Sequence, residues 1–221
     1  MKSRFIICGT SIGNLEDIPG RTLEVLKNAD LLIFEEDKPA RQFLKKAGVT
    51  RDYYKFNEHH QAETIEQARK SFKNQKTVAY ISDQGMPNVS DPGYQITELA
   101  FEAGATVSVI PGPSSITCAI AAAPFFIPKY YFAGFPPREE KHRVKEFEFW
   151  KKIACPVVFM DTPYRFRNIM SSIAHSFGAN AKIFVAKQIS CENEAYFYDS
   201  AQKIADLDWH KKDNFVAILN F

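Results

Sequence analysis

Short apolar runs alternate along this chain with stretches of helical spacing, and each run closes on a glycine, a polar residue or an acid. The runs at residues 4–8, 31–34 and 78–81 are apolar nearly throughout. A strand with one wet face would alternate polar and apolar residues, so unbroken runs predict strands buried on both faces, as in a parallel sheet. Between them lie helix-like segments at 18–28, with Leu23 and Leu26 facing inward, at 40–47, and at 62–73, with Ile65, Ala68 and Phe72 on one side. Strands alternating with helices predict an α/β fold. A further run at 107–110 leads into PGPSS and then a helix of small residues at 116–123, which should pack closely.

The segment APFFIP at 123–128 interrupts this rhythm with two prolines, which disfavour helix and suit an extended connection. The domain boundary is expected there. Residues 1–123 then form an N-terminal α/β domain with a mostly parallel sheet, and 129–221 a C-terminal α/β domain. In the second domain 130–133, 157–160, 183–186, 195–198 and 215–219 read as strands, and 138–152 and 163–177 as helices. Late strands separated by only a few residues suggest a hairpin, so the second sheet should be mixed.

Composition narrows the function classes. Hydrophobic residues at 45% against 24% charged describe a chain able to bury a core, which excludes a disordered segment. No apolar run reaches the roughly 18 residues that span a bilayer. The start MKSRFIICGTSIGN turns polar too early for a signal peptide, so a cytoplasmic protein without a membrane partner is expected. Cys8, Cys118, Cys155 and Cys191 are far apart and form no CxxC pair, and adjacent His59 and His60 point apart, so no metal site is expected. Net charge is only +2, so polyanion binding must come from local patches. One such patch carries Lys38, Arg41, Lys45, Lys46, Arg51 and Lys55 against the single acid Asp52. A solvated helix face explains the same pattern equally well.

Three loops follow strands and are candidates for a ligand site. GTSIGN at 9–14 fits neither GxGxxG nor GxxxxGK[ST], so neither a dinucleotide fingerprint nor a P-loop is supported. The loop SDQGMPNVSDPGY at 82–94 is longer than a turn needs, with Asp91 suited to cap the next helix. PGPSS is the third, and its serines suit a helix cap or a ligand hydroxyl contact. No GxSxG elbow for a serine hydrolase occurs, and no aromatic stripe of an RNA-binding sheet is visible.

Taken in order, GTSIGNLEDI, the run with LIFEEDK, FNEHH, SDQGMPNVSDPGY, PGPSSITCAI, AGFPPR and FMDTPYR resemble the tetrapyrrole methylase superfamily. More closely they resemble its ribosomal RNA branch, the 16S rRNA (cytidine 2′-O-ribose) methyltransferases. The resemblance implies two α/β domains with S-adenosylmethionine in a cleft between them, the N-terminal domain on the substrate side, and a homodimer. It implies ribosomal RNA or the small ribosomal subunit as partner. Carried over residue by residue, the cofactor contacts are Cys8, Gly9, Asp83, Gly85, Met86, Pro87, Val89, Ser115 and Ile116, then Met160, Asp161, Ala186, Lys187, Asn214, Phe215, Val216 and Ala217.

Several positions depart from that branch. Ser11 replaces a proline of the usual PTPIGN, and the usual EDTR stands as Glu35-Glu36-Asp37-Lys38. Lysine does not copy a bidentate arginine contact. The usual ARELTK stands as Ala186-Lys187-Gln188-Ile189-Ser190-Cys191, and the chain is expected to lack the small C-terminal domain of many rRNA-branch members. Transfer to a ribose 2′-hydroxyl needs a group that takes its proton, and Glu35, Lys38 and Glu58 are the catalytic candidates. Each equally suits an ion pair or RNA orientation. Beside 38–55, Arg138, Lys141, Arg143 and residues 147–152 are candidates for a second RNA contact. Two other readings are methylation of a small, tetrapyrrole-like molecule and a cofactor-binding protein that has lost catalysis.

Overall fold

A computed structural model describes residues 2–89, 91 and 93–220, and the chain divides into two compact units, Met1–Ser114 and Ser115–Phe221. The sequence placed this boundary nine residues later, near Pro124. The difference lies in helix α5 (Ser115–Ala122), whose buried Ile116 and Ala119 pack on strands of the second sheet rather than the first.

The first unit is a five-stranded parallel sheet in the order β3-β2-β4-β1-β5, built from β1 (Arg4–Cys8), β2 (Leu31–Phe34), β3 (Tyr54–Lys55), β4 (Thr77–Ile81) and β5 (Thr106–Ile110). Both faces are covered. Ile6, Cys8, Ala79 and Ile81 face α1 (Gly20–Asn28) and α2 (Asp37–Ala47), together with Leu26, Phe43 and Leu44. The alternate residues Phe5, Ile7, Val78 and Tyr80 face α3 (Gln61–Lys73) and α4 (Tyr94–Glu102). Two buried faces account for the unbroken apolar runs. The two-residue β3 was not legible as a strand, because YYKF carries no apolar run.

The second unit is a mixed sheet in the order β6-β7-β10-β8-β9, from β6 (Tyr131–Gly134), β7 (Val157–Asp161), β8 (Lys182–Lys187), β9 (Ala195–Ser200) and β10 (Phe215–Leu219). β6 and β7 are parallel, and every other pairing is antiparallel, including the expected β8–β9 hairpin. One face packs on α6 (Glu140–Trp150), α7 (Phe166–Phe177) and α8 (Ala201–Ala205) around Phe147, Trp150, Phe159, Phe166 and Phe215. Pro163 opens a single 3-10 turn, Pro163–Arg165, before α7, as suits a proline in a first helical turn.

Candidate functional site

In the first unit β4, β1 and β5 are neighbours, so the three loops that follow them meet at one end of the sheet. They meet as backbone. Gly9 N–H donates to Ile110 O at 2.9 Å, Thr10 N–H to Gly85 O at 2.8 Å, and Gly85 N–H to Ser11 O at 3.1 Å. A Cβ on Gly9 would lie 2.6 Å from Gly112 N and 2.9 Å from Met86 Sδ, so side chains are excluded at this crossing. Gly85 adopts φ +72°, the left-handed region where glycine alone is unstrained. Of the expected cofactor residues here, Cys8 offers no side chain: it is buried in the core, and that burial pushes its thiol up to about 12. Pro87 is buried, Met86 half-buried and Val89 exposed.

β2 adds a cluster of acids beside these loops. Glu35 Oε2 accepts from Asp83 N–H at 3.2 Å, and Glu36 N–H donates to Asp83 Oδ1 at 3.2 Å. Tyr80, on β4, brings its hydroxyl within 3.1 Å of Glu35 Oε1. Burial is the main cause that pushes Glu35 up to about 7, with the negative charges of Asp91 and Asp83 adding to it. Burial likewise raises Asp83. A carboxyl that titrates near neutrality changes its proton occupancy where a general base must. Lys38, on the first turn of α2, and Glu58, in the turn after β3, are both exposed. Asp91 does not cap α4 as expected. Gly93 is the cap residue, while the Asp91 carboxylate accepts from Asn88 N–H at 2.8 Å and Gly93 N–H at 2.9 Å and so shapes the loop instead. Its neighbours Ser90 and Pro92 lie outside the described residues.

The second unit gathers its expected residues by register. Met160, Val216 and Ala186 form one rung across β7, β10 and β8, and Asp161, Phe215 and Lys187 form the next. Strand alternation sends these two rungs to opposite faces. Met160 lies on the α5 side, with Ser115 Oγ 3.9 Å from its sulfur. Phe215 and Ala217 are core residues on the α7 side, which leaves only their backbone to meet a ligand. Lys187 is committed to Asp213 at 2.7 Å and lies over the Trp209 ring. Asn214 is exposed, and its N–H donates to Gln188 Oε1 at 2.8 Å. Asp161 Oδ1 accepts from Thr162 N–H and pairs with Arg165 at 3.2 Å, whereas Oδ2 is buried without a partner among the described residues.

The basic stretch sorts into structural and free charges. Arg51 donates to the carbonyls of Leu26, Lys27 and Ala29 and so caps α1. Lys46 pairs with Glu16, and Lys55 with Asp37. Lys38, Arg41 and Lys45 remain exposed along one face of α2, beside an open cavity of about 480 Å³ that Arg41, Lys45, Thr50 and Tyr53 help to line. The second expected contact divides: Arg143 is buried and donates to the carbonyls of Pro137 and Arg138, and Phe147 and Trp150 are fully buried, whereas Arg138, Lys141, Glu148, Phe149, Lys151 and Lys152 are exposed. Tyr80 escaped the sequence reading. The available signal was a single phenol in an otherwise aliphatic strand that ends at an acidic loop.

The sequence pattern of the tetrapyrrole (corrin/porphyrin) methylases matches residues 4–205. A protein of Thermotoga maritima named ribosomal RNA small subunit methyltransferase I is 34% identical over 194 residues, 88% of this chain and 86% of its own. A protein of the same name from Leptospira biflexa is 26% identical over 99% of this chain and 91% of its own. Among solved structures, a diphthine synthase superposes with a TM-score of 0.74 at 15% identity, over 99% of this chain and 90% of that one. The uroporphyrin-III-C-methyltransferase of Thermus thermophilus does so at 0.64 and 14%, over 99% and 94%.

Proposed function

This chain belongs to the tetrapyrrole (corrin/porphyrin) methylase family and is an S-adenosylmethionine-dependent methyltransferase, and we propose that it methylates a ribose 2′-oxygen of small-subunit ribosomal RNA. The observation that carries this reading is the 34% identity to the Thermotoga maritima methyltransferase across most of both chains. The residues present fit the cofactor. Gly9, Gly85 and Gly112 leave bare backbone at the strand ends of the first unit, where loop N–H and C=O groups rather than side chains meet a ligand. In the first unit Gly85, Met86, Pro87 and Val89 would hold it; in the second, the cofactor candidates Ser115, Met160, Ala186 and Val216 gather on the α5 side of the sheet.

When bound, the cofactor supplies an electrophilic methyl group on a sulfonium. The protein's own residues align the acceptor and manage its proton. Glu35 takes the 2′-hydroxyl proton on a carboxylate oxygen, while Asp83 N–H holds that carboxylate in place. Lys38 and Glu58 orient the RNA at the rim, and the free cations Arg41 and Lys45 meet its phosphates. The protein acts in the cytoplasm as a homodimer. In support, no helix among the described residues is long and apolar enough to cross a membrane, and the second unit exposes Phe126, Tyr196 and Tyr198.

Incubation with radiolabelled S-adenosylmethionine and small subunits from a host lacking the endogenous modification should place label on one ribose, recognised by resistance to alkaline cleavage. Cofactor binding by calorimetry without RNA label would defeat the rRNA assignment.

A further inference from the structure

The acid cluster holds more acceptors than protons. Tyr80 is fully buried, with its hydroxyl 3.1 Å from Glu35 Oε1 and 3.2 Å from Asp91 Oδ1. A phenol has one proton, so it donates to one of these carboxyls at a time. Asp91 is held by two backbone N–H groups, and Glu35 is held on its other oxygen by Asp83 N–H. When the hydroxyl donates to Asp91, its lone pairs face Glu35, and that contact is favourable only if Glu35 carries a proton to donate. When Glu35 is ionised, the hydroxyl turns to it, and Asp91 keeps its two N–H donors. The ring itself has no room to follow. A Cβ on Gly93 would lie 2.0 Å from Tyr80 Cε1, and Phe56 packs edge-on at 6.1 Å.

We infer that Tyr80 is a positioning residue for Glu35: its hydroxyl turns from Asp91 to Glu35 as Glu35 gives up its proton, and so stabilises the carboxylate that methyl transfer requires. The inference rests on the reading of Glu35 as proton acceptor. The groups that face Glu35 are Tyr80 from β4 and Asp83 and Asp91 from the loop behind it, with Glu36 adjacent in the chain. Burial and the two aspartates favour neutral Glu35, whereas the Tyr80 hydroxyl and Asp83 N–H favour the ionised form.

The test uses the full chain with ¹³C-labelled glutamate carboxyls, the Glu35 signal being assigned with Glu35→Gln. Tyr80→Phe removes the donor, so Glu35 should titrate about one pH unit higher. The acid limb of kcat on small subunits should follow it, with roughly a five- to tenfold lower rate at pH 7. Asp91→Asn removes a neighbouring negative charge and should move both readouts the other way. Because a residue that merely fills space shifts neither, an unmoved Glu35 titration in folded Tyr80→Phe overturns the inference. If that variant does not fold, an unmoved titration in Asp91→Asn does so. A titration that moves while the kcat profile stays put supports the hydroxyl switch and overturns Glu35 as the acceptor.

Discussion

Gly9→Ala tests the geometry on which the first-unit site depends. The new Cβ would sit 2.6 Å from Gly112 N and 2.7 Å from Gly112 Cα, where ordinary contact begins at 3.4 Å. Both are backbone atoms of a neighbouring loop, so no side chain can rotate away, and the loop after β5 must retreat by roughly 0.8 Å. A retreat of that size carries the Gly9 N–H to Ile110 O bond, now 2.9 Å, toward the limit of a hydrogen bond. Overpacking of this kind costs about 1–3 kcal/mol and the weakened bond about 1 more, so a loss of about 2–4 kcal/mol is expected. Hydrogen-exchange mass spectrometry on β1 and β5 peptides reads this unit alone, while fluorescence of Trp150 and Trp209 reads the second unit, which holds both tryptophans. Exchange should quicken in the first unit with the tryptophan transition unchanged, and calorimetry should show weaker cofactor binding. Gly20→Ala, where a Cβ meets nothing within 4 Å, is the control and should be neutral or slightly stabilising. Protection in Gly9→Ala within about 0.5 kcal/mol of the unsubstituted protein would refute the argument.

Glu35 also ties stability to pH. Its folded value is raised to about 7 from an ordinary 4.5, so its contribution is full below pH 4.5 and is lost as pH rises through 7. Glu35→Gln should flatten that decline in urea titrations between pH 5 and 8, and an unchanged slope would count against the buried cluster. Asp213→Asn leaves Lys187 largely buried beside a neutral amide and should cost about 2–4 kcal/mol by chemical denaturation, a loss that Lys187→Met combined with it should partly restore. Arg51→Ala removes the cap on α1 and should cost about 1 kcal/mol without changing RNA affinity. Arg41→Ala with Lys45→Ala should leave stability unchanged and lower the salt dependence of RNA binding by about two ions, which filter binding across a salt series will show.

The amino-acid sequence by itself determined the two α/β units, the parallel first sheet and the mixed second one, because those features depend on apolar periodicity and on the lengths between runs. It also marked the strand-end loops, since glycine and proline at fixed places announce backbone that side chains must not occupy. Three matters lay beyond it. Helix α5 joined the second unit because the sheet it covers is chosen by packing over distance, whereas the prolines at 124 and 128 act only locally. The six cations of 38–55 look alike in sequence, yet Arg51 turns back to the end of α1 and Lys46 reaches Glu16, which leaves the free charges on one face of α2. Glu35 gained its unusual proton affinity only when β2 and β4 paired, since that register brings Tyr80, Asp83 and Asp91 around a half-buried carboxyl from positions 45 to 56 residues away. Periodicity fixes which residues leave water, but the charges and hydroxyls they meet there are decided by strand order.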